Sequence, residues 1–317
     1  MPEHGAAATA TRVWAHNGRM PREALLLPRR ALLALLGGSA LATACAHRQG
    51  PPDRIVEVAS GRECSRAELL LQCRAADHVL LGELHDNPHH HQRRGAFIAE
   101  LGAGTVVVAE QLDRGRRIEP GADLRGRLEA AGFDARAWGW PLHESLFAPV
   151  LGAGMTVIGG NAPQAQVRQV ARQGLAAAPA AWREWLDAAP LDEAAQAALD
   201  RALVDGHCGQ LPAARVPAMR AAQRVRDLSL ALAMREAGGR PAVLVAGNGH
   251  VRLDHGVPLL LRRLQPQARM LAVGFGEPDW RVDAAPYTHL WLTPAADRPD
   301  ACAGFRMPPP RSASAPA

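Results

Sequence analysis

Lysine is absent from this chain of 317 residues, so all 36 basic residues are arginine. That exclusivity reads as codon bias in a GC-rich genome, not as chemistry. Arginine is spread along the chain and mixed with acids, which excludes a nucleic-acid-binding face. Aromatic residues make up only 4% of the chain, with a single tyrosine, Tyr287. No Gly-x-Gly-x-x-Gly stands at a strand–helix junction, which argues against a nucleotide fold of the usual kind. Ser145 and Ser229 lack the sharp strand–helix turn of a nucleophile elbow. No pair of cysteines has the C-x-x-C spacing of a metal site, and adjacent residues such as His207-Cys208 rarely face each other as a catalytic pair. What remains, at 48% hydrophobic, is enough to bury a core in one large domain or one domain with an insertion.

The start of the chain has the order of an export signal. Arg29-Arg30 precede the apolar run 31–44, which ends in small residues and is too short for a stable membrane anchor. Residues 1–45 are therefore expected to be a leader, with Met20 a natural start. The surroundings of the twin arginines match the folded-export route poorly. Five arginines and two glutamates fall in residues 1–44, leaving 31 arginines against 29 acids, a net charge of +2. Leu41-Ala42-Thr43-Ala44-Cys45 reads as a lipobox slipped by one position, and equally as an Ala-x-Ala cleavage site. Lipidation of Cys45 is the favoured expectation, placing an anchored protein in the cell envelope, in the periplasm or at the outer membrane. Cys64, Cys73, Cys208 and Cys302 are then an even number, and two disulfides are expected, with three connectivities open.

Residues 46–61 are polar and contain proline, as a tether does. Residues 62–306 form the expected domain, and the Pro/Ser/Ala tail 307–317 should be disordered. Buried-strand candidates are 78–82, 105–109, 155–159, 242–246, 269–274 and 289–293. Helical patterns fall at 66–76, 89–101, 124–131, 145–151, 164–174 and 216–237. This alternation predicts an α/β fold, a three-layer α/β/α arrangement with a mostly parallel sheet. The Ala-rich stretch 177–211 contains no strand and is expected to be a helical insertion, as a lid over the sheet or one more helical layer.

The densest signal is the run Gly82-Glu83-Leu84-His85-Asp86-Asn87-Pro88-His89-His90-His91, a buried strand leading into polar residues and then a helix. Asn87 suits an N-cap and Pro88 the first helical position. Gly247-Asn248-Gly249-His250 repeats the G-x-x-H pattern at the end of another strand. Ligands of parallel sheets bind beyond the carboxyl ends of strands, and Glu110 and Asn161 end two more. Glu83, His85, Glu110 and His250 are therefore expected to converge. Two imidazoles and two carboxylates suit Zn, Mn or Fe, with a carboxylate available as general base on a metal-bound water.

These motifs, with Trp138-x-Trp140 and His143, Gly159-Gly160-Asn161, and Met219-x-x-Ala222-Gln223-x-x-Arg226-Asp227, resemble the ChaN-like haem-binding lipoproteins of the Tiki and erythromycin-esterase-like superfamily. The resemblance spans roughly 77–291. It implies haem or iron-complex binding for iron acquisition, and leaves room for a homodimer. It also implies an alternative, a divalent-metal-dependent peptidase using Glu83, His85, Glu110 and His250 as ligands and catalytic groups. For haem, the expected contacts are His85, His89, His90, His143, Asn161, Asn248, His250, Arg252 and Tyr287. Arg93, Arg94 and Arg252 are candidates for the propionates, and a histidine or Tyr287 for the axial position. On this reading Glu83 and Glu110 should matter little to haem affinity.

Overall fold

The computed structural model describes residues 52–283, 285–300 and 302–306. The leader, Cys45 and the tail 307–317 lie outside the described residues. Seven strands form one sheet: β1 (Arg54–Glu57), β2 (His78–Leu81), β3 (Val106–Asp113), β4 (Thr156–Asn161), β5 (Ala242–Val245), β6 (Met270–Gly276) and β7 (His289–Leu292). Their order is β1-β7-β6-β2-β5-β3-β4. All neighbours run parallel except β1, which is antiparallel to β7. Every strand but β1 therefore ends at one edge, called here the carboxyl edge.

Alternate side chains of the strands serve opposite faces. Val79, Leu81, Val107, Val243 and Val245 pack under α1 (Arg66–Ala75), α2 (Pro88–Ala99), α3 (Leu124–Ala130) and α4 (Glu144–Gly152). Leu80, Val108 and Leu244 face α5 (Gln164–Gln173), α6 (Ala180–Asp187), α8 (Val216–Glu236) and α9 (Val257–Leu264). The result is a three-layer α/β/α fold with a mostly parallel sheet. Within 177–211, α6 and α7 (Glu193–Asp205) both lean on α8 and no strand occurs. Among the described residues no helix is long and apolar enough to cross a membrane.

Two elements depart from the sequence reading. The tether ends before residue 54, because Arg54–Glu57 pair with β7 and bury Ile55 and Val56. Four residues in a polar stretch carry little strand signal alone; the exposed edge of β7 makes them a strand. Helix α9 is the second departure: its eight residues are too short to carry a helical period of their own.

The cysteine expectation also needs correction. Cys208 and Cys302 are bonded across a sequence separation of 94, but Cys64 and Cys73 are free and buried. The Cys64 thiol donates to the Ser65 carbonyl at 3.3 Å, and burial pushes the Cys73 thiol up to about 12. Protein spanning 52–306, denatured without reductant, should yield two reactive thiols. None would mean a second bond, and four would mean that Cys208 and Cys302 are not joined.

Candidate functional site

Main-chain pairing continues past the ends of β2 and β5 and builds the site. Gly82 N–H donates to Val273 O at 2.8 Å, and Asn248 N–H to Glu83 O at 3.0 Å. The Asn248 amide donates to Phe275 O (2.7 Å) and accepts from Phe275 N–H (3.0 Å), splicing this loop onto β6. A Cβ on Gly82 would lie 2.1 Å from Asn248 Oδ1, so the first G-x-x-H needs its glycine for a close approach. Asn248 thus clamps the second G-x-x-H loop onto the sheet.

Glu83 is buried beneath His85. His85 Nδ1–H donates to Glu83 Oε1 at 2.7 Å, and Gln111 Nε2 donates to the same oxygen at 3.1 Å. The fully buried Arg94 guanidinium is ion-paired with Glu83 Oε2; burial lowers its pKa to about 9, so it remains charged at neutral pH. With Nδ1 protonated toward Glu83, a neutral His85 leaves its Nε2 lone pair free. Burial holds His85 below its usual range, aided by His250 and opposed by Glu110. A third of its side chain is exposed (33%), and its ring meets Trp138 edge-on at 5.1 Å. A Cβ on Gly247 would come within 2.7 Å of His85 Nε2, so the second motif's glycine makes room for that imidazole.

Glu110 completes the arc. Its Oε2 accepts Gly247 N–H at 2.7 Å, and its Oε1 lies 3.3 Å from His250 Nε2. His250 Nδ1 donates to Asp227 Oδ1 at 2.6 Å. Burial alone would lower His250, but Glu110 and Asp227 outweigh it and raise the ring to about 10. Burial likewise opposes ionisation of Glu110, and His250 overrides it, holding the carboxyl well below its ordinary range. Glu83, His85, Glu110 and His250 thus form one continuous arc at the carboxyl edge. Asp227 and Gln223 join it from α8, four residues apart on one helical face and both against the His250 ring, a contact that their spacing in the sequence does not reveal.

His90, His91 and His143 are scaffolding. Asn87 caps α2, its Oδ1 accepting His89 N–H at 2.9 Å, and His89 is half-buried on the first turn. His90 Nδ1 accepts Leu84 N–H at 2.9 Å, and His91 Nε2 donates to His85 O at 2.9 Å. Two consecutive histidines of α2 therefore staple the backbone on which His85 rides. His143 is fully buried, its ring 4.2 Å from that of His91 and packed among Phe133, Trp138 and Phe147. None of these three is open to a ligand, which corrects the expectation for His90 and His143.

Three further expected contacts have other work. Asn161 donates to Glu110 O at 3.0 Å and accepts from Arg226 at 2.9 Å. Arg252 pairs with Asp254 at 2.7 Å. Tyr287 is buried against Gly274, its hydroxyl 3.4 Å from Asn248 O, and burial pushes the phenol up to about 12. A tyrosinate ligand is thereby corrected. Of the propionate candidates, Arg93 is paired with Asp53 at 2.7 Å and Arg94 with Glu83.

Glu83, His91 and His143 each offer a donor atom within 4.8 Å of the others. Arg94, however, already supplies the positive charge there: it sits on Glu83 Oε2, and its Nη2 lies 3.2 Å from His91 Nδ1.

Residues 69–261 match a protein family described as haem-binding uptake, Tiki superfamily, ChaN. The chain belongs to this family. Among solved structures, ChaN of Campylobacter jejuni, described with cofacial haem binding, is 16% identical with a TM-score of 0.61, over 76% of this chain and 96% of that one. That likeness establishes a shared ChaN fold. The type III effector HopBA1 (13% identity, TM-score 0.37, 73% of this chain and 94% of that one) and a mutant of the erythromycin esterase EreC in its open conformation (13%, 0.38, 80% and 86%) are more distant. No curated protein matches the chain.

Proposed function

We propose that this ChaN-family protein binds haem, and that His85 would hold the iron through Nε2. One observation carries the reading: His85 is fixed through Nδ1 by a buried carboxylate and keeps its other nitrogen free at a part-exposed surface. That is the arrangement in which a carboxylate orients an imidazole toward a metal. Trp138, edge-on to the ring, adds aromatic surface of the kind a porphyrin face packs against. The residues therefore fit the group, and bound haem would supply an iron centre whose ligand is held neutral and oriented. Glu83 sets the tautomer, Arg94 and Gln111 hold Glu83, and Gly247 leaves the ring its space.

The wider role is haem or iron-complex capture for iron acquisition at the cell envelope, by a protein exported through its leader and anchored by lipid on Cys45. It is supported by Arg29-Arg30, the apolar run 31–44 and the family. The divalent-metal peptidase gains no comparable support, because the Arg94 guanidinium already occupies Glu83, one of its expected ligands.

Haem titration tests this reading. Wild type should give a Soret band that His85→Ala shifts and weakens. Glu83→Gln should weaken affinity by about 10–100-fold, as losing the group behind a metal ligand does. This reverses the expectation from sequence that Glu83 is dispensable, because the structure makes it the partner of His85 Nδ1. A Soret band unchanged in His85→Ala would overturn the assignment.

A further inference from the structure

After β7 the chain has no helix or strand among its described residues, yet it is fastened at several points around the site. Pro294 O accepts from Asn87 Nδ2 at 3.2 Å, and Ala296 N–H donates to Glu277 Oε1 at 3.2 Å. Arg298 bridges Glu277 at 2.7 Å and Asp86 at 3.1 Å. Glu277 also accepts from Asn87 Nδ2 at 2.9 Å. Asp86 and Asn87 are the two residues after His85. Farther on, Cys302 is bonded to Cys208, and Phe305 O accepts from Gln210 Nε2 at 2.8 Å. Cys208 and Gln210 lie between α7 and α8, in the helical layer opposite α2. The segment therefore crosses the carboxyl edge from one layer to the other, held by a polar clamp at one end and a covalent bond at the other.

We propose that residues 294–300 and 302–305 form a disulfide-fastened strap that braces the Asp86–Asn87 turn beside His85 and sets how fast a ligand enters and leaves there. The clamp is a closed circuit of two carboxylates, an amide and a guanidinium, each with an assigned partner. A stretch without regular structure has few local contacts to hold it in place, and such stretches open readily. The Cys208–Cys302 bond keeps the far end from leaving, which favours the clamp at the near end. Freed at Cys302, the strap loses its restraint, and the Asp86–Asn87 turn loses Arg298 and Pro294. His85 rides on that turn. A dithiol would release it: one disulfide takes two electrons and two protons to become two thiols, and the dithiol becomes its own disulfide.

The strap's effect on ligand exchange rests on the haem reading, so the test has one arm without haem. Hydrogen exchange is measured on ligand-free protein for peptides covering 84–91 and 295–305. The samples are wild type, wild type with excess dithiothreitol, Cys208→Ser/Cys302→Ser, and Arg298→Ala. Exchange in both peptides should quicken by about tenfold or more when the bond is absent. Arg298→Ala, which keeps the bond, should quicken 84–91 and quicken 295–305 less than loss of the bond does. In the second arm, loss of haem to excess apomyoglobin should be faster in the double serine variant. Exchange in 84–91 that stays within about twofold of wild type while 295–305 opens would overturn the strap, and so would a 295–305 peptide unmoved by loss of the bond. Absence of any Soret band in wild type would overturn the haem reading and leave the exchange result standing.

Discussion

Arg94→Leu is expected to lower folding stability by about 3–5 kcal/mol, the usual consequence of removing one partner of a buried ion pair. Arg94 and Glu83 are both inaccessible to solvent. Without the guanidinium, the Glu83 carboxylate keeps only neutral donors, Gln111 and His85. It would relieve the imbalance by taking up a proton, and a protonated acid no longer requires His85 Nδ1 to carry hydrogen. The substitution should therefore weaken haem binding as well as folding. Adding Glu83→Leu to Arg94→Leu should recover much of the stability, because an apolar pair of similar volume needs no desolvation of charge, but it should not recover the ligand. Urea denaturation of wild type and the two variants measures the first effect. A loss under about 1 kcal/mol for Arg94→Leu would show that this charge pair is not buried as described.

Acidification from pH 7 toward pH 5 is expected to destabilise the protein before most of its carboxylates titrate. Burial lowers His90 to about 3 and His91 to about 4, against about 6.5 in an unfolded chain. Below pH 6.5 the unfolded chain binds protons that the folded chain refuses, so stability falls with pH until the folded values are reached. Each histidine contributes about 1.4 kcal/mol per pH unit in that window. His143, held low by burial, acts in the same direction. His250 has the opposite sign: raised to about 10, it contributes stability that is fully present below 6.5 and is lost as pH rises through 10. The urea midpoint should therefore fall steeply between pH 7 and 5, and His90→Asn should flatten the slope. A midpoint constant over that range would contradict the buried neutral histidines.

The parts legible in the sequence were those written in short-range pattern. Apolar runs ending in Gly-x-x-His mark β2 and β5, and Asn87-Pro88 marks the start of α2, because strand burial and helix capping depend on neighbouring residues. The arc from Glu83 to His250 followed from one rule, that parallel strands end at a common edge. What could not be read depends on contacts between distant elements. The three histidines at 89–91 look alike as ligands. Only the fold shows that His90 and His91 bond the backbone of Leu84 and His85, while His85 stays part-exposed. Arg94 looks like any surface arginine until α2 is laid against β2. Strand β1 exists because β7 has an edge to offer, and the choice of Cys208 for Cys302 is a matter of spatial approach that spacing along the chain does not encode.

The direction of β1 bears on how the molecule is presented. Arg54 stands opposite Leu292, the last residue of β7, so the antiparallel strand enters the sheet at the carboxyl edge. Asp53 is fixed there by Arg93 and by the Trp291 indole at 2.9 Å. Whatever precedes residue 52 joins the molecule on the same rim as His85. A bilayer, bead or fusion partner attached through this end by a short linker would face the rim that carries His85, and the opposite rim would point outward. Immobilised by its N-terminal side, the protein would exchange ligand with the surface that holds it more readily than with the bulk solution.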